Sequence, residues 1–460
     1  MPSWPLIPGR WWPTGLSRRG AEMATMLELI EELWFLKRDL VSEGYDRALA
    51  RLAAELPMTI HEAPSGAKVW TWTIPEAWTC HEAYLEALDG TRLIDVANHP
   101  LHVVSYSLPF EGEVSREELL QHLHVHPHRP DAIPYVFKVY QRDWGLCASQ
   151  TLRDALKDKR YRVVIHTEFT PGTLKVGEVV VPGERDECFM VATHLDHPAM
   201  VNDDLSGVVV GLEAARRLLS GPKPHYTYRF LFLPETLGSI AYLSQHDYLI
   251  PKMLGGLFLE MLGNDAPHAL QTSFQVDSAA DTCLVAALRG AEPDAYVGAY
   301  RTIIDNDERQ FNAPGVRVPM LSLSRVVNPY LPESRFYPYP EYHSSLDTPA
   351  IVSADRLESS VKLVLELLSA FDHNRYIVNR FKGEVFASGY GLWVDYKADA
   401  AAHKRRFEIM DRCDGTRRPA DFAKELGLTF QEIWALVEKL LENDLVFLSH
   451  TPQPTDPHLA

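Results

Sequence analysis

The stretch Thr193–Gly207, THLDHPAMVNDDLSG, concentrates side chains that bind metals and move protons. His194, Asp196, His197, Asp203 and Asp204 follow the apolar run CFMVAT almost at once. Charged groups at the end of an apolar strand cost free energy unless something binds them. Neutral imidazoles beside carboxylates suit zinc or a similar divalent ion. Three further candidates lie downstream: Glu235 after YRFLFLP, Glu260 after GGLFL, and His343 in EYHSSLDTP.

The surrounding pattern brings these residues together. CFMVATHL, YRFLFLPE, GGLFLEML and PMLSLSR read as strands. SGVVVGLEAARRLL, GSIAYLSQHDYLI and ADRLESSVKLVLELLSAF read as helices between or after them. This alternation predicts an α/β fold with a layered sheet. In such sheets the ligand crevice lies outside the carboxyl ends of the strands. Each residue alone has a plain structural role. Taken singly, His194 would be a hydrogen-bonded core histidine, Asp203 and Asp204 helix N-terminal acids, Glu235 a cap and His343 a loop residue. Together at one sheet edge they make a metal site. Two histidines and three acids exceed the needs of one tetrahedral zinc, whereas two metals sharing a carboxylate use them all.

At 460 residues the chain is long enough for two or three domains. The net charge of -17 argues against nucleic acid or an anionic membrane as the main partner. Five cysteines without a CxxC point to a reducing, cytoplasmic setting without a disulfide framework. The start, MPSWPLIPGRWWPTGLSRRGAEM, lacks the apolar core of a secretory signal and reads as an unstructured extension over 1–23, with Met23 or Met26 as alternative starts. Residues 67–144, with short strand signals between Pro and Gly turns, read as an inserted β-rich domain covering the crevice mouth. It interrupts an α/β domain over 24–66 and 145–380, in which Tyr161–Gly183 reads as a long hairpin. The segment 385–460 reads as a winged helix, but Glu432, Glu438 and Glu442 on its candidate recognition helix oppose phosphate contact. Packing or dimerisation fits it better, and a homo-oligomer is compatible. HLHVHPH, His122–His128, reads as an exposed part of the β-rich domain, and Cys147 as a buried apolar residue.

The ordered set HLD, NDDLSG, a Glu after an apolar strand, LEMLG and a final YH resembles the co-catalytic di-zinc aminopeptidase superfamily. IPYVFKVYQRDWGLC, PETLGSIAYL, NDERQFNAPG and EYHSSLDTP resemble, more closely, a bacterial aminopeptidase-like family of unknown substrate found among polysaccharide and natural-product genes. The resemblance implies a zinc-exopeptidase-like mixed sheet flanked by helices. It implies two zinc ions held by His194, Asp203, Glu235, Glu260 and His343, with Asp203 bridging and a cis peptide between Asp203 and Asp204. Asp196 would orient His194 as part of the catalytic set. Asp347 would hold the His343 loop, and Asp307 would act as a supporting acid. Arg309 is a candidate clamp for a substrate carboxylate, or else an ion-pair partner of Asp307 or Glu308.

This chain departs from the superfamily at Pro234–Glu235–Thr236, where two adjacent glutamates, a base and a metal ligand, are expected. Glu235 is then either ligand or base. Glu308 is the alternative base. The departure predicts slow hydrolysis of simple aminopeptidase substrates. The resulting reading is a cytoplasmic, metal-dependent aminopeptidase-like hydrolase of an amide bond in a small aminoacyl or peptidyl substrate, in a biosynthetic pathway. The alternative is a weak or inactive relative that binds a metabolite or a protein partner.

Overall fold

Eight strands form one mixed sheet, in the order Thr59–Pro64, Thr173–Val181, Thr227–Leu233, Cys188–His194, Met253–Leu259, Met320–Arg325, His268–Gln271, Tyr296–Gly298. The computed structural model describes residues 24–331 and 337–455, so the expected extension over 1–23 lies outside the described residues. The four strands from Thr227–Leu233 through Met320–Arg325 run parallel, and their neighbours on either side are antiparallel to them. Every residue of Cys188–His194 is buried, as the continuous apolar run of a strand covered on both faces requires. Phe189 and Val191 face one core, with the helices Gly207–Ser220 and Ala354–His373. Cys188, Met190 and Ala192 face the other, with the helix Leu237–Gln245. The α/β fold with a mixed sheet flanked by helices is therefore present.

A second, four-stranded sheet has the order Arg92–Asp95, Ala77–Ala87, Arg160–Thr170, Phe110–Ser115, and its own apolar core. This corrects the hairpin reading of Tyr161–Gly183. Arg160–Thr170 pairs with Ala77–Ala87 and Phe110–Ser115, whereas Thr173–Val181 pairs with Thr59–Pro64 and Thr227–Leu233. The break falls at Pro171–Gly172, and Gly172 packs so closely against Ala77 and Val41 that a Cβ there would collide with both. The chain thus steps from one sheet to the other where hairpin pairing would have continued. The loop around Tyr135 then crosses to the main sheet. Tyr135 N donates to the His343 carbonyl at 2.8 Å, and Ile133 N donates to Ser345 Oγ at 3.0 Å.

The tail carries helices Ala400–Met410, Pro419–Leu426 and Phe430–Glu442, then the strand Val446–Ser449. That strand pairs antiparallel with Tyr376–Asn379, which lies before residue 385. The acidic helix turns Ile433, Trp434, Val437 and Leu440 into the main core. Gln431 anchors it by donating to the Ala287 carbonyl and to Glu366. No helix among the described residues is long and apolar enough to cross a membrane.

Glu178 joins three elements around the Glu235 side of the sheet. His61 lies 2.8 Å from its carboxylate, Tyr242 OH donates at 2.7 Å and Arg229 at 2.7 Å. Burial alone would raise its pKa, but these three partners outweigh it and bring the group from 4.5 down to about 2. A depressed folded-state pKa contributes stability above the unfolded value and loses it as pH falls through the folded one. Glu178→Gln should therefore cost roughly 1–3 kcal/mol at pH 7. The difference from wild type should shrink as pH falls from about 4.5 to about 2. Urea midpoints measured across that range check it, and a gap independent of pH would refute it.

Candidate metal centre

Parallel strand ends deliver the candidate residues to one point, as the sequence predicts. His194 ends its strand, and Glu235 and Glu260 follow theirs by two residues and one. Asp203 arrives on the short helical stretch Asn202–Ser206, and His343 on a loop. His194 Nε2 lies 3.1 Å from Asp203 Oδ1 and 3.3 Å from Glu260 Oε2. His343 Nε2 lies 3.1 Å from Asp203 Oδ2. A third imidazole joins them: His197 Nδ1 is 3.3 Å from Asp203 Oδ1, and its Nε2 is 3.2 Å from Glu235 Oε2.

Two donor triads result, His194–Asp203–Glu260 and His197–Asp203–His343, and both use Asp203. A third grouping, His194–His197–Asp204, is also close. Its carboxylate is already engaged, because Asp204 accepts from Arg38 at 2.8 Å and from His197 N at 2.9 Å. Glu235 belongs to none of these groups. Both oxygens of Asp203, both ring nitrogens of His194, His197 Nδ1 and His343 Nε2 are buried without an aligned hydrogen bond. Buried polar atoms are ordinarily paired. Converging unpaired donor atoms of these types fit a divalent cation.

The electrostatics point the same way. Burial disfavours a charged His194, but Asp203 and Glu260 outweigh it and hold the imidazole well above its ordinary pKa. His197 is raised likewise, with Asp203 and Glu235 opposing burial. Burial pushes Glu260 up to about 7 and Asp196 up to about 7. Glu235, against its burial, is drawn down to about 2 chiefly by the His197 contact. The pocket is thus rich in carboxylates and attracts positive charge.

Supporting groups fix the loops. Arg38 is wholly buried and donates to the carbonyls of Leu195, His197 and Met200 as well as to Asp204. Asp347 accepts from Asn202 N, Asp203 N and Tyr339 OH, so it clamps the Asp203 loop to the His343 segment. Asp307 accepts from Thr236 N at 2.9 Å. Asp196 accepts from Glu235 N at 2.7 Å but stands 4.0 Å from His194 Nδ1, so it fixes the Glu235 turn and makes no hydrogen bond to the histidine. Asn306 Nδ2 donates to Glu260 at 2.8 Å. Thr236, Met261 and His343 have φ of 62°, 54° and 50°. Three non-glycine residues in this sparse region, at or next to donors, mark strain held by the surrounding contacts.

Other expectations are corrected. No described peptide bond is cis, and the Asp203 turn is made instead by φ -110 and ψ 93 inside an otherwise helical stretch. Arg309 donates to the Asn306 carbonyl and to Thr236 Oγ1 at 3.4 Å and lies 3.6 Å from Asp305, so it makes no ion pair with Asp307 or Glu308 and reaches the turn that carries Glu235. Glu308 is fully buried, accepts from Asn306 N and Gln271, and is pushed up to about 8 by burial. It does not line the cleft. His122–His128 is not simply exposed: His126 is buried, and His124 and His126 line the cleft beside the donors. Cys147 is buried, and burial pushes its thiol pKa up, as expected of an inert residue.

The cleft measures about 510 Å³ and is walled by Glu235, Glu260, Asn306 and His343 on the sheet side and by His126 and Tyr135 from the 67–144 segment. That segment therefore covers the donors. Sequence reasoning assigned no role to His197, Arg38 or Tyr135. The HxxH spacing of His194 and His197 was the available signal for the first.

Gly207 sets the distance between Asp203 and Glu260. A Cβ there would strike the Leu259 carbonyl oxygen and come within 2.9 Å of Glu260 Cα. Gly207→Ala should cost roughly 1–3 kcal/mol through overpacking and reduce bound metal, because the helix start and the Glu260 strand must part. Thermal melts with elemental analysis check this, and full metal content at unchanged stability would contradict it.

A Clostridium acetobutylicum protein described as a "Putative polysaccharide biosynthesis protein with aminopeptidase-like domain" is 32% identical over 427 residues, covering 91% of this chain and 95% of that one. A crystal structure from Clostridium acetobutylicum superposes with a TM-score of 0.81 at 31% identity, covering 92% of this chain and 96% of that one. The Bacillus subtilis zinc aminopeptidase shares the fold, with a TM-score of 0.56 at 14% identity over 75% of this chain and 93% of that one. The family model described as "Domain of unknown function (DUF4910)" matches residues 27–374. This chain, with its aminopeptidase-like fold, belongs to that family.

Proposed function

We propose that this protein is a metal-dependent amide hydrolase acting on a small aminoacyl or peptidyl substrate, with zinc the natural candidate for the metal. The observation that carries the reading is the pair of donor triads sharing Asp203, with the donor atoms of His194, His197, Asp203 and His343 left unpaired by the protein. His194, Asp203 and Glu260 would hold one ion, and His197, Asp203 and His343 the other. Bound at such a centre, divalent ions polarise a carbonyl and lower the pKa of water toward about 7.

His197 takes the place of the ligand that Pro234–Glu235–Thr236 lacks. Its Nδ1 faces Asp203, while its Nε2 is hydrogen-bonded to Glu235. That contact has the form of a ligand histidine steadied by a carboxylate through its far nitrogen. Glu235 then need not bind metal. Its side chain is 25% exposed and lines the cleft, where it can take a proton from the attacking water and deliver it to the leaving amine. Asp196 and Asp307 hold the two peptide N–H groups of the Glu235–Thr236 turn and so fix the direction of that carboxylate. Asn306 holds Glu260. The fold relation to a zinc aminopeptidase supports the reaction class, and the relative's description supports a place in polysaccharide biosynthesis.

Two variants separate the roles. Glu235→Gln should retain metal and lower turnover by roughly 100- to 10,000-fold, the contribution of a placed general base. His197→Ala should lose about half of the bound metal, since one triad loses a donor while the other stays whole. Elemental analysis beside an aminoacyl-amide hydrolysis screen reads both. If Glu235→Gln loses an ion and His197→Ala keeps both, the assignments exchange and the division of labour is wrong.

A further inference from the structure

A second chamber opens on the other side of Glu235. It measures about 290 Å³ and is shaped by Trp72, Tyr106, Tyr135, Phe137 and Tyr140, all from the 67–144 segment, with Asp39 and Asp196 among its polar lining. Trp72, Phe137 and Tyr140 keep 38%, 53% and 53% of their surface exposed. The cluster is therefore an open aromatic site and not a closed core.

Asp39 is the anomaly within it. The residue is 4% exposed, and its Oδ1 has no hydrogen-bond partner. The two cations beside it in sequence are committed elsewhere. Lys37 Nζ donates to the Cys80 carbonyl, and Arg38 is consumed by backbone carbonyls and Asp204. Burial pushes the Asp39 carboxyl up to about 6, with the Ser105 hydroxyl and, at longer range, Lys37 and Arg38 opposing. A buried carboxylate with one oxygen left unpaired is costly, and a cation brought into the chamber would relieve that cost. Aromatic faces around it add cation–π attraction and cover an attached hydrocarbon.

We propose that this chamber binds a primary ammonium carried on an aromatic or aliphatic group, with the ammonium on Asp39 and the apolar part among Tyr135, Phe137 and Tyr140. That this ligand is part of the substrate whose amide lies at Glu235 rests on the hydrolase reading; the binding of the amine does not. Glu235 and Tyr135 line both cavities, so one molecule can span them.

Calorimetry on the full-length, metal-loaded protein with phenethylamine and 2-phenylethanol tests the proposal. The two probes share the ring and differ in the cation. The amine should bind roughly tenfold or more tightly than the alcohol, the size of a charge-assisted hydrogen bond with cation–π support. Asp39→Asn should abolish this preference, whereas direct binding of the amine to metal would survive it. Phe137→Ala should weaken both probes together. Equal binding of amine and alcohol to wild type overturns the proposal without any variant, and so does a preference that persists in Asp39→Asn. Equal binding to wild type would leave the Glu235→Gln and His197→Ala outcomes standing, so the two readings fail separately.

Discussion

The site depends on one buried ion pair, Arg38 with Asp204. Arg38 reaches from the link between the two N-terminal helices into the loop after the His194 strand, and no part of either side chain is exposed. A lone buried charge of either kind would be prohibitive, and removing one partner of such a pair typically costs about 3–5 kcal/mol. The pair persists because its remaining hydrogen-bond needs are also met. The guanidinium takes the carbonyls of Leu195, His197 and Met200, and Asp204 takes the His197 N–H. The loop that carries His197 and Asp203 is thereby folded around a cation supplied from more than 150 residues earlier in the chain. With Asp204 neutralised, Asp203 is left as the negative charge on which the imidazoles converge.

That division explains how the centre tolerates Pro234. The superfamily resemblance assigns base and ligand to adjacent glutamates. Here a single glutamate follows a proline, and a histidine three residues after His194 closes the second triad. In the proposed division of labour the donor would move from the Glu235 strand to the Arg38-clamped loop. That leaves Glu235 bonded to an imidazole and open to the cleft. The expectation of slow hydrolysis rests on the missing acid; with His197 as the proposed ligand, Glu235 would be free to serve as the base.

The residues legible from sequence were those whose position follows from periodicity. CFMVATH, YRFLFL and GGLFL are apolar on both faces, so strand, parallel pairing and carboxyl-end crevice follow from them, and with these the positions of His194, Glu235 and Glu260. Asp203 followed from its place ahead of a helix. The unread parts are set by long-range contact. Arg38 looks like any cation at the end of an amphipathic helix until its partner is known. His197 shares its spacing with many surface histidines, and only the turn fixed by Asp204 aims it at Asp203. The strand Arg160–Thr170 continues into a second apolar run, so a hairpin is the natural reading. Its transfer to the other sheet is decided by Gly172 packing on Ala77 and Val41.

The two sheets contribute different chemistry. The main sheet and its loops supply the donor atoms, held by the buried hydrogen bonds of Arg38, Asp347, Asp307 and Asn306. The loop around Tyr135 supplies surface: Tyr135 stands between the two cavities, with its ring centroid 5.1 Å from His197 and 5.4 Å from His343. Its backbone is fastened to the His343 loop. A change in this loop can therefore reshape what enters the cleft while the donor atoms keep their places. A change in the main sheet disturbs ligands that share Asp203 and reaches both triads at once. The arrangement lets recognition vary on one layer while the metal-binding geometry stays fixed on the other. The exception is Tyr135, which touches both layers and through which an occupant of the aromatic chamber can bear directly on His197 and His343.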